Sequence, residues 1–567
     1  MKQTILLLLS LLCLQIKAQE AIYSAEAIHH PVISEQGMVA TQHLEATKVG
    51  LAILEKGGNA VDAAVAVGFT LAVVLPRAGN LGGGGFMLVH DAKNKTTKAI
   101  NYREIAPKRA HRDMYLDAEK NVDNERYIAS YQSTGVPGTV AGLCLALEQY
   151  GSMSLAEVMA PAIQLAEEGF VVTHDLERVL KHYEERLKKW PETARIFYKG
   201  DTFYQAGDTL IQRDLAWSLR QIAKNGSAAF YGGAVGNLIS QDMVKNDGLI
   251  TNEDMKSYRA LVVEPEWGMY RGYDVATMPP PSSGGIHLIQ MLNILEGFPL
   301  HYLGHNSSET IHLMTESMKL AYADRSEFLG DPLFWKVPDQ GLISKDYADE
   351  LRAKIKPLQA TPSSEIAPGK PQAYESEETT HFSIVDKNGN VVSNTYTLNF
   401  SFGTGIVAKG TGILLNNEMG DFSAKSGEPD AFGLLGGEAN AIQAGKRPLS
   451  SMTPTIIFKD DELFLVTGSP GGSRIITTVL QLILNVIDHN MNVADATHAP
   501  RIHHQWYPDV LFIERGFSID TQKALIAKRH NLQYRSVMGS TQSIMKKEGI
   551  LYGASDPRRP DAHTAGM

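Results

Sequence analysis

The feature that most constrains this chain is an abrupt change of pattern about two-thirds of the way along its 567 residues. Residues 356–378 show neither helical nor strand periodicity, contain four prolines and end in acidic residues, which predicts an exposed, flexible linker. The residues from Thr379 to Leu398 then alternate as a β-hairpin, with Asn388-Gly389 at the turn. The chain is therefore divided at Thr379 into a longer, helix-rich part and a shorter, strand-rich part.

Several elements can be predicted on either side of this division. Glu45 to Lys56 is amphipathic and ends at Gly57-Gly58, whereas the apolar stretch from Ala60 to Leu75 carries Asp62 and is short, which favours a buried core helix. Asn59 with Asp62 forms an N-cap signature for this second helix. The remaining predictions are a helical stretch within Ser308 to Pro332, a hairpin from Thr455 to Thr467 and a long helix from Arg474 to about Asn490.

Length and charge narrow the class of protein. The length indicates two domains or one large, layered α/β body. With 53 basic against 63 acidic residues, the formal net charge is −10, and no basic cluster stands out, so nucleic acid is not an expected partner. The hydrophobic fraction of 43% is that of an ordinary globular enzyme.

The N-terminus has the pattern of a signal peptide, residues 1–18. Lys2 supplies a positive charge, Ile5 to Leu14 form a short apolar core, and Ala18 precedes the expected cleavage point. This apolar core is too short to remain as a membrane-spanning helix, and no other span is predicted. We therefore expect an exported protein, periplasmic or secreted, in which Cys144 is the remaining cysteine and no internal disulfide forms.

The position of Thr379 at the end of the linker indicates a specific chemistry. A threonine hydroxyl is a weak nucleophile unless a base lies beside it, and a chain cut before Thr379 would expose an α-amino group on the same residue. The reference pKa of such a group, about 7.7–8.0, suits a general base near neutral pH. Before the cut, the same hydroxyl can attack the Glu378 carbonyl, so one residue would serve both maturation and catalysis.

Ordered motifs along nearly the whole chain after the signal peptide resemble those of the γ-glutamyltranspeptidases. The motifs are PRAGNLGGGGFML, YREIAP, GVPGTVAG, YADRSEFLGDP, TTHFSIVD, TYTLN, LLNNEMGDFS, KRPLSSMTPTI and TGSPGGSRI. The resemblance implies an N-terminal-nucleophile hydrolase with a four-layer αββα fold, cut by itself between Glu378 and Thr379. Residues 19–378 would form the large chain and residues 379–567 the small catalytic chain of one heterodimer.

The resemblance also assigns a role to each candidate site residue. Arg103, Ser450 and Ser451 would bind the substrate α-carboxylate, which a planar guanidinium can hold with two parallel hydrogen bonds. Asn399, Glu418 and Asp421 would hold the α-ammonium group. The other assignments are Thr397 against the nucleophile, Gly471 and Gly472 as the oxyanion-binding amides, and Phe432 in a lid over the pocket.

Several of these positions depart from the pattern of many relatives. Glu418 replaces the glutamine of several bacterial members, Gly420 replaces an acidic residue, and Phe432 stands where tyrosine is common and so lacks a hydrogen-bond donor. No cofactor is expected. No metal site is predicted either, because the adjacent histidine pairs His29-His30 and His503-His504 lack the spacing of metal ligands.

The function favoured by the sequence is transfer of the γ-glutamyl group from glutathione or similar amides to amino acids, peptides or water. Two alternatives remain. An amide acylase of the same fold that removes glutaryl groups would not need the ammonium-binding residues. A solute-binding protein would capture glutamyl compounds without turnover and would need no cut before Thr379. A degraded relative is less favoured, because every position expected to act carries a competent side chain.

Overall fold

The structure is a computed structural model that describes residues 27–368, 380–425 and 437–567. The predicted signal peptide, the end of the predicted linker, Glu378, Thr379 and Phe432 lie outside these residues.

Twenty-three strands make up the β-structure of the described residues. In chain order they are β1 Val32–Ser34, β2 Met38–Thr41, β3 Gly84–Asp91, β4 Thr96–Asn101, β5 Phe170–Val171, β6 Tyr198–Lys199, β7 Thr202–Phe203, β8 Thr209–Leu210, β9 Leu261–Val263, β10 Glu266–Tyr270, β11 Tyr273–Thr277, β12 Thr380–Val385, β13 Val391–Thr397, β14 Val407–Ala408, β15 Ile413–Leu414, β16 Thr455–Lys459, β17 Glu462–Thr467, β18 Ile502–His503, β19 Leu511–Ile513, β20 Leu532–Tyr534, β21 Gln542–Lys547, β22 Ile550–Ser555 and β23 His563–Gly566.

Nineteen α-helices accompany these strands in the same residues. They are α1 Leu44–Glu55, α2 Ala60–Val74, α3 Asn124–Ile128, α4 Thr139–Tyr150, α5 Leu155–Glu168, α6 His174–His182, α7 Glu184–Lys188, α8 Pro191–Phe197, α9 Arg213–Asn225, α10 Ala234–Lys245, α11 Asn252–Ser257, α12 Gly284–Glu296, α13 Leu300–Leu303, α14 Ser308–Phe328, α15 Asp339–Leu342, α16 Lys345–Arg352, α17 Arg474–Ile487, α18 Val493–His498 and α19 Ile519–Ala527. In the described part of the chain, none of these helices combines the length and apolar character that crossing a membrane requires.

Two seven-stranded sheets form the centre of the molecule. The first has the strand order β1-β22-β21-β17-β16-β11-β10 and the second has the order β23-β2-β12-β13-β3-β4-β9. In both sheets, strands that follow position 379 are hydrogen-bonded to strands that precede it. In the second sheet, β12 and β13 lie between β2 and β3.

The sheets face each other, and helices cover their outer faces. Side-chain hydrogen bonds join the facing sheets, for example Ser383 Oγ to Gln542 O (2.8 Å) and Ser393 Oγ to Thr467 O (3.1 Å). Helices α1, α2 and α4 pack on the second sheet, while α12, backed by α14 and α17, packs on the first. This arrangement confirms the predicted four-layer αββα fold.

The two hairpins that follow position 379 and the second helix of the chain match the sequence predictions closely. Strands β12 and β13 form the first hairpin, and Gly389 at its turn has a φ of +85°, a conformation that glycine adopts readily. Strands β16 and β17 span the predicted second hairpin. Helix α2 is buried along its whole length, and Asn59 and Asp62 form the expected capping box at its start.

The first part of the predicted linker, residues 356–368, is anchored to the rest of the protein at several points, while Leu358, Ser364 and Glu365 are exposed. Ser363 is buried, its Oγ donates to Trp506 O (2.6 Å), and its N–H donates to Asp509 Oδ2 (2.9 Å). Ala360 N donates to Lys528 O (2.7 Å). The prolines removed the periodic pattern without preventing this segment from packing against residues that follow position 379. Residues 369–378 lie outside the described part of the chain.

Candidate active site

The hairpin of β12 and β13 brings the start of the strand-rich part to the candidate site. Thr380, which directly follows Thr379 in the chain, pairs with Tyr396. Thr397 at the same end of the hairpin is buried, and its Oγ1 accepts a hydrogen bond from Asn399 N (2.8 Å). Thr397 therefore does not face solvent.

Arg103 lies just after β4, and its guanidinium is held in a fixed orientation. The side chain is 1% exposed, Nε donates to Pro448 O (3.2 Å), and Nη2 donates to Leu449 O (3.3 Å). Both carbonyls belong to the RPLSSM motif, so this loop positions the arginine. A surface role for Arg103 is excluded.

Arg103 pairs with the two carboxylates that the resemblance assigns to the ammonium group. Its Nη1 lies 2.6 Å from Glu418 Oε2, and its Nη2 contacts Asp421 Oδ2. Glu418 and Asp421 lie on one short 3₁₀-helix, and Asn399 adjoins it because Asn399 Nδ2 donates to Asn417 O (3.1 Å). The predicted carboxylate ligand and the predicted ammonium ligands thus form one buried group rather than two separate ones.

Glu104 is a fourth member of this group that the sequence did not reveal. It is fully buried, its Oε2 lies 3.4 Å from Arg103 Nη1, and burial raises its pKa to about 8 although Arg103 opposes the shift. Burial likewise raises the pKa of Glu418, against the effect of the same arginine. We call Arg103, Glu104, Glu418 and Asp421 the site cluster.

The site cluster has more hydrogen-bond acceptors than donors. Within the described residues, four buried oxygen atoms lack a hydrogen-bond donor: Glu104 Oε1, Glu418 Oε1, Asp421 Oδ1 and the neighbouring Asn399 Oδ1. Buried polar atoms are nearly always satisfied in proteins, so such a concentration is typical of a ligand site. The surplus acceptors and the three carboxyl groups suit a cation with several N–H donors.

Ser450 and Ser451 are both buried, and Ser451 belongs to a network that sequence reasoning missed. The fully buried Arg325 of α14 donates from Nη2 to Ser451 Oγ (3.0 Å) and from Nε to Ser283 Oγ (2.7 Å). Ser283 Oγ in turn donates to Ser450 O (2.8 Å). Because Arg325 makes Ser451 Oγ an acceptor, the Ser451 hydroxyl can donate its own proton, for which Ser283 Oγ is an acceptor at 3.2 Å.

Gly471 and Gly472 lie in the loop between β17 and α17, directly before the N-terminus of that helix. Their φ angles of +135° and +58° fall in the region that favours glycine. A side chain at Gly468, in the same loop, would collide with the buried ring of His381 on β12. The loop is thus packed against the strand that follows Thr379, and the positive end of the helix dipole favours negative charge there.

Comparison with known proteins assigns the chain to a family. The family model described as Gamma-glutamyltranspeptidase matches residues 46–566. The chain belongs to the γ-glutamyltranspeptidase family. It is 56% identical over 543 residues to the glutathione hydrolase proenzyme of Escherichia coli (strain K12), covering 95% of this chain and 93% of that protein.

Acylases are also among the relatives of this family member. The Acylase ACY 1 proenzyme of Pseudomonas sp. (strain V22) is 39% identical over 534 residues, covering 93% of this chain and 92% of that protein. The crystal structure of cephalosporin acylase from Bacillus halodurans superimposes with a TM-score of 0.86 at 29% identity, covering 97% of this chain and 99% of that one. The fold therefore accommodates more than one acyl substrate.

Proposed function

We propose that this chain is a γ-glutamyl transferase and hydrolase that acts on glutathione and related γ-glutamyl amides. The observation that supports the proposal is the composition of the site cluster, with one arginine, three carboxyl groups and buried acceptors that lack donors. A γ-glutamyl group ends in one α-carboxylate and one α-ammonium. Arg103 with Ser450 and Ser451 matches the carboxylate, and the surplus acceptors match the ammonium.

Maturation would begin with attack of the Thr379 hydroxyl on the Glu378 carbonyl. The peptide C–N bond breaks as a C–O bond forms, which leaves Glu378 as an ester on Thr379 and frees the α-amino group of that residue. Water then hydrolyses the ester. The products are the chains 19–378 and 379–567, which would remain together as a heterodimer because their strands alternate in both sheets.

Turnover would use the same hydroxyl on the γ-amide of the substrate. The Thr379 α-amino group takes the hydroxyl proton during attack and returns it to the departing amine, leaving a γ-glutamyl ester on Thr379. An amino acid, a peptide or water then attacks this ester and restores the hydroxyl. The Gly471 and Gly472 amides would stabilise the oxyanion both when the γ-glutamyl ester forms and when it is broken down. Thr397 would hydrogen-bond to the nucleophile.

Export completes the proposal. The pattern of residues 1–18 supports removal of a signal peptide and action in the periplasm or the medium, where extracellular γ-glutamyl compounds are accessible. The lid role of Phe432 likewise belongs to this proposal, because that residue lies outside the described part of the chain.

The first experiment is a denaturing gel of the purified protein with N-terminal sequencing. Two chains are expected, the smaller beginning at Thr379. Thr379→Ala should give one uncut, inactive chain, whereas Thr202→Ala, at an exposed strand position, should mature as the wild type does. Maturation or turnover by Thr379→Ala would show that the nucleophile is another residue.

The acylase relatives make glutaryl-amide hydrolysis the second candidate, and one functional group separates the two. A glutaryl anilide lacks the α-ammonium of a γ-glutamyl anilide, so it would leave buried carboxylates without a cation. Losing one partner of a buried charge pair typically costs about 2–5 kcal/mol. We expect a preference of roughly thirtyfold to several thousandfold in kcat/KM for the γ-glutamyl compound. Similar rates on both compounds would favour the acylase.

Asp421→Asn offers a matched test of the same preference. The amide keeps the shape of the carboxylate and removes its charge, so turnover of the γ-glutamyl compound should fall more than that of the glutaryl compound. An equal fall for both would assign Asp421 a structural role instead.

A further inference from the structure

A second buried cluster lies away from the candidate active site, at the junction of α14 with the loop after α19. It consists of His312 and Glu316, one turn apart on α14, and His530. All three residues are buried, and one ligand atom from each lies within 4.8 Å of the other two. Metal sites frequently take two ligands from positions i and i+4 of one helix and a third from elsewhere in the chain.

The hydrogen bonds around His312 orient its ring for metal binding. His312 Nε2 lies 2.8 Å from Lys356 O, and since a carbonyl can only accept, Nε2 carries the ring proton. Nδ1 of the neutral ring is then unprotonated and accepts from His530 Nε2 at 2.8 Å. A histidine ligand whose other nitrogen donates to a backbone carbonyl is typical of metal centres.

Glu316 is oriented in a similar way. Its Oε2 accepts a hydrogen bond from Thr361 N (3.1 Å), while its Oε1 forms an ion pair with the ammonium of Lys319 at 3.0 Å. The segment that contains Lys356 and Thr361 thus supports both ligands of α14. This is the first part of the predicted linker, which the structure shows to be packed.

We propose that His312, Glu316 and His530 bind one divalent metal ion of the zinc type. Zinc takes nitrogen and carboxylate ligands at about 2.0–2.2 Å, and three protein ligands commonly leave a fourth position for water. A cavity of about 100 Å³ borders one of the three ligands, His530, and is also lined by Lys319, His504 and Asp509, so a water molecule has room beside His530.

The metal would take the place of the proton that now lies between the two rings. The proton of His530 moves from Nε2 to Nδ1, and Nε2 then binds the metal. Because both rings are neutral before and after binding, no net proton is released. The rings must separate by about half an ångström to reach tetrahedral spacing. Lys319 would withdraw from Glu316 while keeping its bond to Thr361 O (2.8 Å) and its proximity to Asp509 (3.7 Å).

The placement of the ligands indicates what the metal would do. His312 and Glu316 precede position 379, and His530 follows it, so a bound ion would link the two chains of the mature protein. This linking role rests on the proposed cut, whereas the site itself does not. No local sequence pattern indicates this site, because 218 positions separate His312 from His530.

The experiment is a titration of the chelator-treated protein with Zn²⁺ by calorimetry and thermal unfolding, with Co²⁺ absorption to report tetrahedral coordination. One equivalent should bind, and Zn²⁺ at a hundredfold excess over Kd should raise Tm by about 2 °C for a chain of this size. The uncut Thr379→Ala variant should bind equally well, which separates this proposal from the proposed function.

Three variants make the titration decisive. His530→Gln should lose saturable binding, whereas His305→Gln, which alters the histidine pair with His489 elsewhere in the fold, should bind as the wild type does. Lys319→Met removes the competing ammonium and should bind Zn²⁺ several-fold more tightly. The proposal is overturned if the wild type shows no 1:1 binding, if His530→Gln binds unchanged, or if Lys319→Met binds more weakly than the wild type.

Discussion

Two buried charge clusters of this molecule are built on opposite principles. The site cluster combines one arginine with three carboxyl groups and retains acceptors without donors. The other group, which we call the C-terminal cluster, contains Arg501, Glu514, Asp556 and Arg558, and pairs two cations with two anions.

The C-terminal cluster has its charges matched by hydrogen bonds. Asp556 lies 2.5 Å from Arg501 Nη2 and 3.1 Å from Arg558 Nη1. Glu514 lies 2.5 Å from Arg558 Nη2 and also accepts from Arg501 N (3.0 Å). The comparison teaches that a balanced cluster serves the fold, whereas an unbalanced one retains binding capacity for a ligand. An excess carboxylate can be neutralised by taking up a proton. An arginine that lacks its anion stays charged, because a guanidinium does not lose its proton in proteins.

The largest effect should come from unbalancing the C-terminal cluster. Asp556→Ala would leave two buried guanidinium groups without their shared anion and should lower the free energy of unfolding by about 3–5 kcal/mol. Urea unfolding of the uncut Thr379→Ala chain, in which the two halves stay tethered, measures this loss, and kcat/KM is measured on the maturing Asp556→Ala variant. The folded fraction should keep its kcat/KM, and a normal free energy of unfolding with reduced kcat/KM would contradict the structural role.

Arg103→Lys should have its main effect on substrate binding. Lysine keeps the charge but loses the planar fork, and hydrogen bonds to charged groups are worth about 1.5–3 kcal/mol. KM for a γ-glutamyl anilide should therefore rise roughly tenfold to a hundredfold while maturation, read on a denaturing gel, stays intact. An uncut Arg103→Lys chain would point to a folding role and would remove the distinction between the two clusters.

Arg325→Lys should weaken binding less, through Ser451. Lysine cannot donate to Ser283 and Ser451 in the same plane, so KM for the γ-glutamyl anilide should rise several-fold with little change in kcat. A 4-aminobutyryl anilide, which lacks the α-carboxylate, should be affected less. Arg352→Lys is the matched control, since that guanidinium bonds only backbone groups of α12 and an aspartate among its described partners. Equal losses for both anilides would reduce Arg325 to a packing residue.

The last prediction concerns the pH dependence of stability, where the change per pH unit is small. The pKa of Glu104 is raised to about 8 by burial, so between pH 4.5 and 8 the folded chain holds a proton that the unfolded chain lacks. The free energy of unfolding of the uncut Thr379→Ala chain should fall with rising pH across this window, by at most about 1.4 kcal/mol per pH unit from this group. Glu104→Gln should flatten the curve, whereas the exposed Glu253→Gln should not. An unchanged curve for Glu104→Gln would mean that the group is already ionised.

The sequence predicted the local structure well, while the roles assigned to the family-matched residues remain predictions. The hairpin turn at Asn388-Gly389 and the capping box at Asn59 are determined by neighbouring residues, so a local pattern is enough to find them. Arg103 and Glu418, which the resemblance singles out, are buried, although no local pattern distinguishes either from a charged residue on the surface.

What the sequence did not predict depends on contacts between distant residues. Arg325 lies in a helix that was recognised, but its contact with Ser451 joins residues 126 positions apart. The packing of residues 356–368 was missed for the same reason, because proline-rich composition conceals hydrogen bonds to Trp506 and Asp509. Local propensity carries no information about such partners.

The alternation of strands across position 379 has a consequence for the lifetime of the mature enzyme. While the chain is uncut, β12 and β13 are tethered to their neighbours and can return after a local opening. After the proposed cut, the separated halves would meet only at their bulk concentration, so loss of the native state becomes practically irreversible in dilute medium. The durability of the mature enzyme would then be set by the rate at which the interleaved sheets come apart rather than by an equilibrium.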